Sequence, residues 1–447
     1  MKFERATKFE RATKFERSIG RWAMAGLIVN GIIGSGIFGV PSELNRLLGS
    51  ASPLAMVVAG LVMAIIIACY AEVASQFSEH GGVYLYARAA FGRFAGVEVG
   101  WFWLLSSVAS GGASANLFVI YLASLWPSAA HGWVRALVLT LLIAIPTAAN
   151  YLGVRAGADL SSALAVAKLL PLGLLIVLGL WQFHRQVHAI HASQIAAPGW
   201  AAWAGALILL FFTYDGFEDC LVPVGEVREP RRTIPFALFA GLLVTMVVYA
   251  LLQLMTVATI GTRVTDHPLS DAAAIIIGRG GAAFVAIAVM CSTYGWVSAS
   301  ILNAPRLPFS FAEHGDAPAW LAKVHPRFHT PGLAIILYGV LIWIMALSGT
   351  FLWALVLSAG SMMVYHVVVC AALIRLRHIQ PGADAMRAPC GPLLAVLEIG
   401  IALVLLTQLE RTEIMFMGVT ALIAAANWWW ADRRSNAVPL IEADERS

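Results

Sequence analysis

The stretch Asn30-Gly31-Ile32-Ile33-Gly34-Ser35-Gly36-Ile37-Phe38-Gly39-Val40-Pro41 decides the fold. It lies within an apolar run, roughly residues 22–48, that is long enough to cross a bilayer. Four glycines and a serine within nine residues disfavour a continuous helix. Backbone that leaves helical geometry inside a membrane must be buried in protein or line a cavity. The stretch therefore predicts either an interrupted helix that forms a ligand site or a glycine-rich face that packs against a neighbouring helix.

The composition is that of a polytopic helical membrane protein. The chain has 447 residues, of which 60% are hydrophobic and 12% charged, and a mean hydropathy of +0.80. A soluble domain carries about twice that charged fraction. The net charge of +4 is explained by orientation in a membrane rather than by nucleic-acid binding. The five cysteines are scattered, so the sequence predicts neither a disulfide framework nor a metal site, and no cofactor.

The first seventeen residues form a repetitive extension. Lys-Phe-Glu-Arg occurs at residues 2–5, 8–11 and 14–17, with Ala-Thr between the copies. Such a repeat indicates a tag or a duplication, so residues 1–17 are set apart from a transmembrane domain at 18–447. The charged segment runs directly into a full-length span, which is not the pattern of a cleaved signal peptide.

Twelve apolar segments follow one another along the chain. They lie near 22–48, 53–77, 94–126, 133–153, 161–183, 202–224, 234–261, 282–312, 332–349, 351–374, 392–409 and 413–430. If the N-terminus is inside, 22 of the 29 Lys and Arg residues fall in cytoplasmic segments and six in outer loops. This asymmetry predicts a multi-pass protein of the cell (inner) membrane with both termini cytoplasmic.

The sixth span repeats the irregularity of the first. Thr213-Tyr214-Asp215-Gly216-Phe217-Glu218-Asp219 places three carboxylates and a glycine near its middle. Ionisable groups at that depth indicate a functional site. Interruptions five spans apart also predict two inverted repeats of five helices, at about 22–183 and 202–374, with extra helices at about 392–430.

Two further sets of residues have alternative interpretations. Lys168, inside the fifth span, either faces the interior of the bundle with a partner or extends to the cytoplasmic interface. Ser106, Ser107 and Ser110 of the third span either line a polar cavity or allow close helix packing, and packing is the commoner role.

Four blocks in this order resemble the amino acid–polyamine–organocation transporters. They are Gly31 to Phe38, Tyr70-Ala71-Glu72 with Gly81 to Tyr86, Lys168 ahead of Pro171, and Phe211 to Pro235. The resemblance covers nearly the whole chain after residue 17. The block around Tyr214-Asp215-Gly216 is most similar to the sodium-independent, L-type-like neutral amino acid branch.

The resemblance implies an all-α integral membrane protein with twelve transmembrane helices. Ten of them would form a five-plus-five inverted repeat, with helices one and six broken, and would work by alternating access. The amides around Gly34, Ser35 and Gly36 can hold a carboxylate. Carbonyls released near Ile32, Phe212 and Asp215 can accept an ammonium group. Thr213 and Gly216 complete the second break, and Ser106 and Ser107 are assigned to the side-chain pocket.

Three positions acquire specific roles through the resemblance. Phe212 matches the family's aromatic gate, against the simpler interpretation that it fills apolar space. Lys168 matches a lysine near the place where sodium-coupled relatives hold a cation, so sodium is not expected to be needed. Glu218 departs from the pattern of many L-type-like members. It either carries a transported proton or is a structural carboxylate hydrogen-bonded to the broken helix.

These observations predict a sodium-independent secondary transporter of amino acids, with neutral substrates favoured and proton symport favoured over exchange. An exchanger, an amine or polyamine carrier on the same fold, and an amino acid sensor that moves nothing are the alternatives. No constellation of His, Asp and Cys residues lies at one depth, so an enzyme is not expected. The sequence does not predict the oligomeric state.

Overall fold

A computed structural model describes residues 20–77, 82–153, 170–181, 198–221, 227–261, 263–328, 330–379 and 386–437. Helices joined by short turns make up these residues. In chain order they are α1 (Arg21–Ile32), α2 (Gly36–Gly39), α3 (Pro41–Leu48), α4 (Ser52–Ala74), α5 (Gly82–Phe91), α6 (Arg93–Leu125), α7 (Gly132–Tyr151), α8 (Leu170–Trp181), α9 (Trp200–Thr213), α10 (Pro230–Ile260), α11 (Pro268–Ile277), α12 (Arg279–Asn303), α13 (Arg306–Glu313), α14 (Gly332–Ser348), α15 (Phe351–Ile379), α16 (Gly391–Leu406) and α17 (Arg411–Ala437).

Each of the twelve apolar segments coincides with at least one of these helices, and the first segment contains three. Within the described residues, seven helical stretches are long and apolar enough to cross a membrane by themselves. They are Pro41–Ala74, Arg93–Leu125, Gly132–Tyr151, Arg231–Ile260, Arg279–Glu313, Phe351–Ile379 and Arg411–Arg433. The helices α8, α9, α14 and α16 are apolar but shorter. Multiple crossings are thereby supported, while twelve crossings and the inverted repeat stay predictions.

Two helices were not predicted from the sequence. α11 occupies the loop after α10, where its buried residues pack against α12. α5 lies between the second and third apolar segments, where no helix was predicted, and it begins at Gly82. Both segments are too short to resemble a membrane span, so hydropathy alone does not reveal them.

The core is built around the long helices α6 and α15. These two pack extensively on each other, and α10 packs on α1 and α4. At 33 residues, α6 is about 50 Å long, which exceeds the thickness of the hydrocarbon core. Its buried face is rich in glycine, alanine and serine, which allow neighbouring helices to approach closely. α1 and α9 therefore lie against a scaffold of long helices.

Two buried carboxylates tie helices together at the end predicted to be cytoplasmic. Asp316 accepts hydrogen bonds from the Tyr84 hydroxyl at 2.6 Å and from Arg88 at 2.8 Å, and it also pairs with Arg93. Burial, followed by the hydrogen bond to Asp316, raises the pKa of Tyr84 well above its usual value, so this phenol stays a donor. Glu72 receives two hydrogen bonds of 2.6 Å from Arg377.

Several residues named from the sequence lie outside the described part of the chain. They are the extension at residues 1–17 and Lys168.

Candidate functional site

The first helix is interrupted inside the glycine-rich stretch. α1 ends at Ile32, and helical geometry resumes at Gly36. The amide of Ile33 donates to the carbonyl of Val29 at 3.0 Å, and the amide of Gly34 turns back to the carbonyl of Ile32 at 2.8 Å. The first amides of α2 have no acceptor within their own helix. Hydrogen-bond donors therefore lie at the interruption.

The sixth apolar segment is interrupted at its acidic stretch. α9 ends at Thr213, and Asp215 and Gly216 are not helical. Gly216 has a φ of +98°, a backbone conformation that side-chain-bearing residues rarely adopt. A single 3₁₀ turn, Asp219–Leu221, follows. The segment predicted as one span therefore changes direction at Gly216.

The two interruptions touch through their backbones. A Cβ atom added to Gly36 would lie 2.7 Å from the Cα of Thr213. A Cβ atom added to Gly216 would lie 2.6 Å from the carbonyl oxygen of Gly31. No side chain fits at either position without displacing backbone. The glycines thus allow the two broken helices to contact each other directly.

Tyr249 of α10 joins the carbonyl ends of the two broken helices. Its hydroxyl lies 2.9 Å from the carbonyl oxygen of Ile32 and 3.1 Å from that of Thr213. Its side chain is fully buried. These carbonyls lie where each helix stops, and carbonyls there lack an intrahelical donor. One hydroxyl from a third helix therefore stabilises both interruptions.

A small cavity lies where the interruptions meet. The free space inside it is about 20 Å³, which is room for about one water molecule. The residues that line it are Gly31, Ile32, Gly34, Ser35, Gly36, Ser110, Phe212, Asp215, Gly216 and Trp296. As it stands, the cavity is therefore smaller than an amino acid, and a ligand would have to move its walls apart. Among the described residues that line it, Asp215 is the only one with an ionisable side chain.

Most of the predicted binding residues reach this cavity. Those that line it are Ile32, Gly34, Ser35, Gly36, Phe212, Asp215 and Gly216. Three others do not. Ser106 bonds to Ser358 at 2.9 Å, Ser107 bonds to the Tyr338 hydroxyl at 2.6 Å, and the Thr213 hydroxyl donates to its own helix. Lys168 lies outside the described residues, and Glu218 lies beyond the cavity wall.

Serine hydroxyls connect α6 to the site. Ser114 donates to the Ser35 hydroxyl at 3.0 Å, at the interruption of the first helix. Ser110 lines the cavity and bonds to Ser358 of α15 at 3.0 Å. These contacts join α6 and α15 to the first interruption. Small hydroxyl-bearing residues therefore both pack the helices and present polar atoms to the cavity.

Sequence reasoning missed part of the site. It did not assign Gly31, Ser110, Trp296 or Tyr249 to ligand binding. Gly31 was inside the quoted stretch, and Ser110 was noted as a polar residue of the third span. Trp296 and Tyr249 lie in apolar helices with no local anomaly, so only the packing of α10 and α12 against the interruptions reveals them.

Two carboxyl groups lie close to each other at and just beyond the second interruption. Glu218 is nearly inaccessible, and its Oε1 accepts a hydrogen bond from the Tyr365 hydroxyl at 2.7 Å. Asp215, which lines the cavity and is partly buried, lies close enough to interact with it electrostatically. Glu218 Oε2 and Asp215 Oδ1 have no hydrogen-bond partner among the described residues. A carboxyl group of the cavity wall is therefore adjacent to a buried carboxyl group behind it.

A histidine that the sequence did not single out lies beside this pair. His366 of α15 is fully buried, and its Nδ1 lies 2.8 Å from the hydroxyl of Tyr70 of α4. Phe217 stacks on the imidazole with ring centroids 6.0 Å apart. The segment after the second interruption is therefore held against α4 and α15 by aromatic and polar contacts.

Comparison with known proteins identifies the family. A family model described as "Amino acid permease" matches residues 19–431. The "Serine/threonine exchanger SteT" of Bacillus subtilis (strain 168) is 26% identical over 416 residues, which cover 90% of this chain and 92% of that protein. Uncharacterized transporters of Mycobacterium bovis (strain ATCC BAA-935 / AF2122/97) and Mycobacterium tuberculosis (strain ATCC 25618 / H37Rv) are each 28% identical over 403 residues, with 87% of both chains covered.

The matched region extends across both interrupted helices and the cavity between them. The relatives are named as transporters and none as an enzyme, in agreement with the prediction that this chain is not an enzyme. The resemblance to amino acid transporters is thereby confirmed: the chain belongs to the amino acid permease family.

Proposed function

We propose that this protein is a sodium-independent secondary transporter of small neutral amino acids, coupled to protons and working by alternating access. The observation that carries the proposal is the cavity at the meeting point of two broken helices, whose wall is largely backbone. Discontinuous helices of this kind supply substrate sites in membrane transporters. Both termini are cytoplasmic in this proposal, as the charge asymmetry of the loops predicts.

The backbone of an amino acid matches the donors and acceptors of this cavity. The amides that open α2, at Ser35 and Gly36, receive the substrate carboxylate, because helix-start amides bind anions. Because α2 has only four residues, its dipole is small, and the hydrogen bonds from these amides contribute more to carboxylate binding than the dipole does. The carbonyls of Ile32, Phe212 and Asp215 accept the ammonium group. The Ile32 carbonyl already accepts from Tyr249 and from the Gly34 amide, so the ammonium takes the place of one of these donors there.

The remaining wall of the cavity favours a small, uncharged side chain. Trp296 and Phe212 supply apolar surface, and Ser35 and Ser110 supply hydroxyls. A cationic substrate side chain would need a carboxylate of its own, whereas Asp215 contacts Glu218. The printed name of the Bacillus subtilis relative, a serine/threonine exchanger, agrees with small neutral substrates.

Proton coupling is assigned to the acidic pair beyond the cavity. Glu218 is buried, contacts Asp215, and is therefore suited to hold a proton in one state of the cycle and release it in another. Sodium independence is proposed from the sequence, because Lys168, which lies outside the described residues, matches the family lysine near the cation position of sodium-coupled relatives. Exchange is the second candidate function, and the name of the Bacillus subtilis relative favours it.

Uptake into proteoliposomes of defined internal composition tests these assignments. The panel contains serine, threonine, alanine, leucine, arginine and the amines ethanolamine and putrescine, each with and without sodium and an inward proton gradient. Proton symport predicts concentrative uptake of small neutral amino acids into empty vesicles when a proton gradient is applied. Exchange predicts uptake only into vesicles preloaded with substrate.

Other outcomes contradict the proposal in distinguishable ways. Preference for the amines indicates an amine carrier. Binding without uptake or counterflow indicates a sensor. A strict sodium requirement contradicts the role given to Lys168.

A further inference from the structure

The helix α16 buries a single ionisable residue in its middle. Glu398 is the only Asp, Glu, Lys or Arg between Gly391 and Leu406. It lies on a stripe of otherwise small or aliphatic residues that faces the protein, namely Gly391, Ala395, Ala402 and Leu405. The opposite side of the helix is exposed at Leu393, Val396 and Leu403. An aliphatic residue would therefore continue the stripe, and packing alone gives no reason for a carboxyl group.

The carboxyl group of Glu398 has no strong hydrogen-bond partner. Its side chain is 0% exposed, and no nitrogen or oxygen atom of the described residues is within hydrogen-bond distance of either carboxyl oxygen. The polar group beside it is the Cys370 thiol, which is only a weak donor. A carboxylate in a dry, apolar contact is strongly disfavoured unless a cation neutralises it. The neutral acid is the form that this surrounding accommodates.

The neighbours of Glu398 supply no cation. Three helices pack against α16: α15, α4 and, to a lesser extent, α9. Among the described residues, the ionisable groups that interact with Glu398 from these helices are Cys370 of α15 and Tyr70 of α4, and Cys69 of α4 contacts Cys370 in turn. Thiols and a phenol are not cations in any protonation state. The sequence of α9 contains no ionisable residue.

The charged pair Glu72 and Arg377 lies at the other end of the same contact. A Cβ atom on Gly391 would be 2.6 Å from the Arg377 guanidinium. Glu398 follows Gly391 by seven residues, or about 10 Å along the helix. Arg377 is already paired, because it donates to both oxygens of Glu72 and to the carbonyl of Ala388. It does not serve as the partner of Glu398.

We propose that Glu398 is a second proton-binding site, and that its proton exchanges with water when α16 parts from α4 and α15. The site is distinct from the acidic pair at the substrate cavity, since Glu398 lies on α16 and does not line that cavity. Protons enter where helices separate, because an ionised carboxylate is stable only once water or a cation reaches it.

The same two helices also contact the acidic pair of the cavity. Tyr365 of α15 donates to Glu218, and Tyr70 of α4 lies within electrostatic reach of both Glu218 and Glu398. A movement of α15 relative to α4 therefore changes the surroundings of both acids together. The protonation state of Glu398 therefore depends on the position of α15 and in turn influences it.

Infrared spectroscopy of the full-length protein in lipid tests the protonation state. A protonated carboxylic acid has a carbonyl band separate from that of a carboxylate. We expect Glu398→Gln, and equally Glu398→Leu, to remove one component of the protonated band at neutral pH. The control is Glu43→Gln, which removes a carboxylate paired with Arg46 and leaves the band unchanged. An unaltered band in both Glu398 variants overturns the proposal.

Transfer into heavy water tests whether the proton exchanges. The component assigned by the Glu398 variants shifts as the acid O–H becomes O–D, and we expect the shift to be complete within the time of a few transport cycles. If helix movement limits the exchange, we expect serine in the medium to accelerate this shift at least about tenfold. A component that never shifts shows a static acid and overturns the proposal. Exchange is measured without substrate as well, so failure of amino acid uptake affects only the proposed function.

Discussion

The hydroxyl of Tyr249 lies 2.9 Å from the carbonyl oxygen of Ile32, the last residue of the first broken helix. The same hydroxyl is 3.1 Å from the carbonyl oxygen of Thr213, the last residue of the second. A residue that no sequence motif marks therefore links the two interruptions. Both carbonyls would otherwise be buried without a side-chain donor, which is costly in a membrane interior.

We expect Tyr249→Phe to lower both stability and substrate binding. The substitution keeps the ring and removes one buried donor, at a cost of about 1–3 kcal/mol. Because the ammonium site uses the Ile32 carbonyl, the apparent affinity should fall at least about tenfold, which corresponds to about 1.4 kcal/mol. The measurements are thermal unfolding in detergent and concentration-dependent counterflow.

Tyr121→Phe is the matched control for that variant. Tyr121 is also fully buried and donates to one carbonyl, that of Phe38, at 2.7 Å. Its loss should lower the thermal stability similarly and leave the affinity within about twofold of the unaltered protein. Equal losses of affinity in the two variants would show that Tyr249 has no special role at the interruptions.

We expect Gly36→Ala to abolish transport. The added methyl group would lie 2.7 Å from the Cα of Thr213, a backbone atom that cannot rotate away. The two broken helices would separate and the cavity would lose its shape. Gly26→Ala in α1 is the control, because a Cβ atom there meets nothing within 4 Å. Substrate binding of normal affinity in Gly36→Ala would contradict the site.

We expect Glu218→Gln to remove the response to a proton gradient while counterflow continues. The amide keeps the size of the side chain but cannot take up and release a proton. Tyr365→Phe keeps the carboxyl and removes its 2.7 Å donor, so it should shift the pH dependence without abolishing coupling. Gradient-driven uptake that persists in Glu218→Gln would exclude this residue as the proton carrier.

We expect Lys168→Ala to reduce uptake at least about tenfold, since an ammonium group that replaces a bound cation would be lost. Lys323→Ala, in an exposed segment between α13 and α14, is the control and should transport normally. Full activity of Lys168→Ala would instead indicate a lysine that anchors the helix at the membrane surface. Initial rates of uptake at saturating substrate distinguish the two.

The sequence predicted those parts of the site whose residue types are unusual in the middle of a membrane helix. Gly34, Gly36 and Gly216 are unusual residues for the middle of a membrane helix, and Glu218 is an unusual charge there. Such departures are visible without any knowledge of tertiary contacts. The family resemblance, now confirmed, added the order of the helices and the expectation of amino acid transport.

Tertiary contacts decide the remainder of the site. Ser106 and Ser110 are one helical turn apart and chemically identical, yet only Ser110 lines the cavity. Residues four apart lie on the same face of a helix, so the position of each serine along α6 relative to the interruptions determines which one reaches the cavity. The sequence of α6 gives no indication of how the helices are placed against one another. Tyr249 and Trp296 were missed for the same reason, and α5 and α11 were missed because they are too short for a hydropathy signal.

Gly36 contacts Thr213 directly, and Gly216 contacts Gly31. These backbone contacts separate recognition of the amino-acid backbone from selection of its side chain. In the proposed site, main-chain atoms hold the carboxylate and ammonium groups common to every amino acid, so most side-chain substitutions leave that part of the site unchanged. Side chains of the cavity wall such as Ser110 and Trp296 are then free to vary with the substrate side chain that has to be accommodated. Related transporters can thus change their substrate by exchanging a few side chains, while the two broken helices and their backbone contacts stay the same.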